Sequence, residues 1–148
     1  EVKLLVVGAK KWWTSDIEKT FHGMQFSGEV IFTGRLNTPE LRMVLGASLA
    51  LTYVSYFEGF GIPIVEAFRT HTPVITSNVT SMPEVAGNAA LLTDPMDPGS
   101  IASAMKKVFE DRALCEDLIK KGEARKDLFT WQKTADRLWE SIEKAVKQ

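Results

Sequence analysis

Short apolar runs alternate with longer amphipathic stretches along this chain. Residues 2–7 form an apolar run closed by Gly8, 15–25 read as a short helix, and 29–33 as a second strand closed by Gly34. Thr38 followed by Pro39 reads as an N-cap with proline at the first helical position, starting a helix that runs to about residue 47. A strand at 49–54, a helix at 62–69 and a strand at 73–77 follow, then a loop holding Pro83 and a short strand at 90–93. Beyond Asp97, which with Asp94 reads as a turn and N-cap, the pattern is helical over about 97–110, 112–125 and 131–146. Strands alternating with helices at this spacing predict an α/β fold with a parallel sheet.

The densest chemistry sits where the strand at 49–54 hands over to a helix. Glu58-Gly-Phe-Gly-Ile-Pro-Ile-Val-Glu66 places two carboxylates eight positions apart around a glycine turn. Gly59 and Gly61 let backbone approach a ligand closely, and Pro63 suits a first helical position because no N–H is needed there. The helix would aim its free N–H groups and positive dipole end at the turn, which is how proteins hold phosphate. Taken singly, each glutamate is an ordinary surface acid. Flanking an anion site within a strand–turn–helix–strand unit, the pair suits an anion with hydroxyl-rich groups on either side, a ribose and a hexose.

Composition narrows the alternatives. Eighteen basic and nineteen acidic residues give a net charge of −1, which argues against a nucleic-acid partner. The single Cys115 has no internal disulfide partner and fits a reducing, cytoplasmic setting. There is no apolar run of membrane-spanning length, no Asp-x-Asp metal pair, and too few histidines and cysteines for a zinc site, so no metal is expected. His71 reads as a surface turn residue without a catalytic role. Trp131 and Trp139, eight apart on one helix, should share an apolar seam that is partly exposed, while Trp12 and Trp13 form an adjacent loop pair.

The Glu58-x7-Glu66 motif is followed by Thr72-Pro-Val-Ile, by Ser77-Asn-Val-Thr-Ser-Met-Pro-Glu84 and by Gly87-Asn-Ala-Ala-Leu-Leu-Thr-Asp94. This ordered set resembles the donor-binding half of the group 1 (family 4) glycosyltransferases of GT-B fold. Upstream, Val30-Ile-Phe-Thr-Gly34 and the Gly8-Ala-Lys-Lys-Trp-Trp13 loop extend the likeness; downstream, Phe129-Thr-Trp131-Gln resembles the start of the family's closing helix. The resemblance implies a Rossmann-like parallel sheet with flanking helices, with residues 1–148 as the nucleotide-sugar-binding C-terminal domain.

By that resemblance, Glu66 is expected to accept ribose hydroxyls, and Glu58, the catalytic candidate, to face the transferred sugar. The backbone of Gly59, Phe60, Gly61 and Ile62 would hold the diphosphate and sugar. Gly34, Arg35 and Leu36 would form the base pocket, although Arg35 is equally a solvated cation and Leu36 equally plain packing. Ser77, Asn78 and Glu84 stand near the same rim, with Glu84 expected to cap the next turn. The implied activity is retaining, metal-independent transfer of a hexose from an NDP-sugar of the GDP-mannose or UDP-glucose type to a glycan or lipid-linked acceptor. No cofactor beyond the donor is implied, and the intact enzyme could associate peripherally with a membrane.

The family's first strand, its Gly-Arg-Leu…Lys-Gly segment and its acceptor domain have no counterpart here, so the chain reads as an inactive piece of a longer enzyme. Without that strand, the expected order is 29–33, 2–7, 49–54, 73–77, 90–93, with 2–7 paired directly to 49–54 or through a swapped strand. Two other readings stand beside this one: a GT-B sugar-nucleotide epimerase, and a non-catalytic α/β nucleotide-binding or interaction module.

Overall fold

The computed structural model describes residues 2–11 and 13–147, so Trp12 lies outside the described residues. The chain divides into two compact units, one ending at Leu41 and the other beginning at Arg42.

In the first unit, β1 (Leu4–Val7) runs parallel to β2 (Val30–Gly34), with Leu4 opposite Val30 and a register slip between Val6 and Val7. Helix α1 (Ser15–His22) is capped by Thr14, whose hydroxyl accepts the Ile17 N–H at 3.3 Å. It ends earlier than the expected residue 25, because the Gly23 N–H turns back to the carbonyls of Lys19 and Thr20. A single 3₁₀ turn, Ser27–Glu29, then leads into β2. Trp13, Phe21 and Phe32 pack edge to face, and the Lys10 ammonium lies 3.9 Å from the Phe32 ring centroid. Trp13 therefore serves packing, with a cation–π contact above its neighbours.

Helix α2 (Thr38–Ala47) starts one residue earlier than its motif suggested, because Asn37 and not Thr38 is the cap. The Glu40 N–H donates to Asn37 Oδ1 at 2.9 Å, and the Asn37 N–H donates to Glu40 Oε2 at 2.8 Å. This reciprocal box satisfies two N–H groups at the helix start.

The second unit holds β3 (Leu51–Tyr53), β4 (Val74–Ser77) and β5 (Ala90–Thr93), all parallel in the order β3-β4-β5. Central β4 is buried along its length, and its hydroxyls are satisfied by backbone: Thr76 donates to the Tyr53 carbonyl at 2.8 Å and Ser77 to the Ser55 carbonyl at 2.6 Å. Helix α3 (Ile62–Arg69) buries Ile64, Val65, Ala67 and Phe68 with Met82, Val85 and Ala89 on one side of the sheet. Ile75, Ala104 and Val108 form a second cluster. Helices α4 (Met82–Ala86), α5 (Pro98–Glu110), α6 (Arg112–Lys126) and α7 (Trp131–Val146) complete the unit. The expected loop at Pro83 is in fact α4, since a proline in the first turn is compatible with helix. Asp97 caps α5 as expected, accepting the Gly99 N–H at 2.8 Å.

The strand expectation fails at one junction. Among the described residues the ladders form two sheets, β1-β2 and β3-β4-β5, and none joins β1 to β3. In the order 3-2-1-4-5-6 the strands on either side of strand 1 do not pair with each other, so the fold itself gives no ladder between them. Within each sheet, order and parallel sense are as expected. Along α7 no residue is buried; Trp131 is 88% and Trp139 62% exposed. Among the described residues, no helix is long and apolar enough to cross a membrane.

Candidate functional site

The turn between β3 and α3 is built around Gly61, the helix N-cap, at φ 99° and ψ 50°. An L side chain is strained there, and a Cβ would also come within 3.1 Å of Ile64 Cδ1. Ile62 opens the helix and Pro63 lies within its first turn, one place further in than the motif alone suggested. Gly59 differs: it has no positive φ, and a Cβ would meet nothing within 4 Å. Nothing inside the fold requires glycine at that position.

The turn leaves a row of amides without acceptors. The Ile64 N–H closes back on the Gly61 carbonyl at 3.0 Å and the Glu58 N–H reaches Thr80 Oγ1 at 3.4 Å. Among the described residues, the N–H groups of Gly59, Phe60, Gly61 and Ile62 have no protein partner. Such groups need water or a ligand, and they lie at the positive end of α3.

The two acids occupy different settings. Glu58 is half-buried; its Oε1 accepts the Tyr53 phenol O–H at 2.5 Å. Burial, and next the bond to Glu58, push the Tyr53 phenol up to about 12. Glu66 lies one turn into α3, half-buried, and its carboxylate has no hydrogen bond or ion pair among the described residues. Ser81 Oγ is shared between the carbonyls of Glu58 at 2.8 Å and Phe60 at 3.0 Å, tying the turn to the start of α4.

Of the other expected residues, Gly34 closes β2 at φ 70° and receives the Gly8 N–H on its carbonyl at 2.9 Å, while Arg35 is exposed and Leu36 half-buried. These three belong to the first unit. Ser77 is committed to the Ser55 carbonyl, and Asn78 is exposed. The expected cap by Glu84 is not made: it stands in the first turn of α4, but no side-chain hydrogen bond caps that helix, and Ser81 at the cap position serves the glycine turn instead. His71 is a surface turn residue at φ 56°, with Nε2 2.8 Å from Glu123. Among the described residues, no three His, Cys, Asp or Glu side chains are grouped to hold a metal ion.

Tyr53, Thr80 and Ser81 were not singled out by the sequence pattern. Thr80 and Ser81 are 22 and 23 positions from Glu58, and only parallel pairing of β3 with β4 brings those strand ends together.

Comparison with known proteins agrees with this architecture. The profile described as Glycosyl transferases group 1 matches residues 1–125. The O-antigen chain mannosyltransferase B of Escherichia coli is 32% identical over 130 residues, covering 86% of this chain and 34% of that protein. The chain thus spans about a third of the length of this curated relative. Among solved structures, sucrose-phosphate synthase from Thermosynechococcus elongatus superposes with a TM-score of 0.82 at 28% identity, over 98% of this chain and 39% of that one. Anabaena HepE, solved with UDP and glucose, gives a TM-score of 0.85 at 18% identity over 97% of this chain and 41% of that one. With a profile match reaching from the first strand into α6, and with parallel sheets flanked by helices as in GT-B glycosyltransferases, the chain belongs to the group 1 glycosyltransferases.

Proposed function

We propose that this chain is the donor-binding domain of an enzyme that transfers a hexose from an NDP-sugar to a glycan or lipid-linked acceptor. The observation that carries the reading is the row of unpartnered amides at Gly59, Phe60, Gly61 and Ile62, between two half-buried glutamates at the start of α3. Those amides and the helix dipole would take the diphosphate and stabilise its growing charge as the sugar leaves. Glu66 would accept ribose hydroxyls and Glu58 those of the hexose, fixing the donor's orientation. Gly59 supports close approach, since the fold itself gives no reason for its missing side chain.

The mannosyltransferase relative supports a GDP-mannose type of donor, and the neighbour solved with UDP and glucose supports a UDP-glucose type. We further assign Gly34, Arg35 and Leu36 to the base, a metal-independent mechanism with retention, and a cytoplasmic site of action. Acceptor binding would fall to a preceding domain.

Calorimetric titration of the chain with UDP, GDP and ADP tests the reading. One diphosphate should bind with a Kd between about 10 μM and 1 mM, the weak range suited to a released product. Absence of heat with all three at millimolar concentration would remove the donor site from this chain.

A further inference from the structure

We propose that Tyr53 is a positioning residue for Glu58: its phenol holds Oε1 of the carboxylate, leaving Oε2 for a hydroxyl of the transferred sugar. The proposal deepens the donor-site reading above and rests on it. The 2.5 Å bond is one of three restraints on Glu58, beside the Thr80 contact to its N–H and the Ser81 contact to its carbonyl. Together they fix both the main chain and the side chain of a residue that lies in a loop. A glutamate in a loop otherwise samples several rotamers and must lose that freedom when the donor arrives. One held beforehand presents its free oxygen without that loss, which is how preorganisation raises affinity and rate.

The bond is also a durable one. Tyr53 stands at the end of β3 with its ring against the Ile64, Val74 and Met82 cluster. Its phenol, held neutral up to about 12, stays a donor throughout the working range of an enzyme. Phenylalanine at this position would keep the ring packing and delete only the donor, so the hydroxyl is separable from the core. Neighbouring Tyr56 and Phe57 are exposed and make no such contact.

The test compares the affinity for a nucleotide-sugar with that for its bare diphosphate, using UDP-glucose against UDP and GDP-mannose against GDP. Wild-type chain, Tyr53→Phe and Glu58→Gln are each titrated by calorimetry. Tyr53→Phe should leave diphosphate affinity within about twofold and cut the gain contributed by the sugar about tenfold, in the direction of Glu58→Gln. If Tyr53→Phe keeps the whole gain, the positioning role is gone while the donor site stands. If it weakens both ligands equally, the hydroxyl is structural and the proposal also fails. A wild-type chain that gains nothing from either sugar overturns the donor-site reading and the proposal with it. The contact has its own readout: in a Tyr56→Phe background Tyr53 is the only tyrosine, because the chain holds two. Its ultraviolet alkaline titration should then move to lower pH on Glu58→Gln, and an unmoved titration would show that the bond does not form.

Discussion

The ring of Phe60 meets that of Phe129 edge to face, with centroids 5.5 Å apart and planes at 80°. Phe60 belongs to the glycine turn and Phe129 to the connection before α7. The Phe129 carbonyl accepts from Arg69 at 3.1 Å, and the Arg125 guanidinium lies 5.6 Å from its ring while donating to the Val85 carbonyl. Phe129 is thereby anchored to the ends of α3, α4 and α6, and through it the turn is braced from outside the sheet.

Replacing Phe129 with alanine should therefore cost about 2 kcal/mol, combining a lost aromatic pair with partial burial. Urea denaturation of the chain measures it, with Phe129→Leu recovering part of the loss. The same variant should weaken nucleotide binding beyond any effect of unfolding, because the brace on Phe60 is gone. Wild-type affinity in folded Phe129→Ala would show that the turn holds its shape unaided.

The two glycines of the turn should separate fold from ligand. Gly61→Ala places a side chain at φ 99° and 3.1 Å from Ile64 Cδ1, so a loss of about 1–3 kcal/mol in stability is expected. Gly59→Ala meets nothing in the protein and should leave the urea midpoint unchanged. If a diphosphate lies against that backbone, Gly59→Ala should instead weaken nucleotide binding about tenfold or more, a steric effect read directly by calorimetry.

The contrast shows what could be read from the chain and what could not. The bounds of α3 matched the expected 62–69 because the Gly61 turn and Pro63 fix its start by local geometry. The two acids and the amide row were legible for the same reason, being local in sequence. Helix α4 stands where the pattern predicts a loop holding Pro83, because a first helical turn tolerates proline and five residues are too few to show a helical period. Tyr53 lay inside a strand that read as buried packing, and nothing in an apolar run marks a phenol that will reach the loop beyond. Ser81 depends on two strand ends meeting, which pairing decides and periodicity does not. The strand order failed only between β1 and β3, where the expectation went beyond local pattern to a junction between elements.

Alkaline pH gives an independent measure of the Tyr53 environment. The folded chain holds this proton up to about 12, against 10.0 for an ordinary tyrosine. Between those values the unfolded chain releases a proton that the folded chain retains, so ionisation favours unfolding. The stabilisation is fully present below pH 10 and is lost as pH rises through 12. The stability difference between wild type and Tyr53→Phe should accordingly be constant from neutral pH to about 10 and move against the wild type above it. A difference that stays flat through that window would mean the phenol is as free to ionise folded as unfolded.

Glu58 and Glu66 should fail in different ways, since one faces the sugar and the other the nucleotide in the proposed site. Glu66 has no protein partner for its carboxylate among the described residues, so replacing it leaves no internal bond broken. Glu66→Gln should keep the fold and weaken binding of the bare diphosphate by about 1–3 kcal/mol, the range for hydrogen bonds to a charged group. Glu58→Ala removes the acceptor of the Tyr53 phenol and so carries a stability loss of about 1 kcal/mol as well. Its diphosphate affinity should nevertheless stay close to wild type. In an enzyme that includes the acceptor domain, turnover should fall by about tenfold or more, following roughly 1.4 kcal/mol for each decade. The discriminating measurement is calorimetry of both variants against the same diphosphate. Equal losses would merge the two acids into one subsite, and an unaffected Glu66→Gln would place the ribose elsewhere.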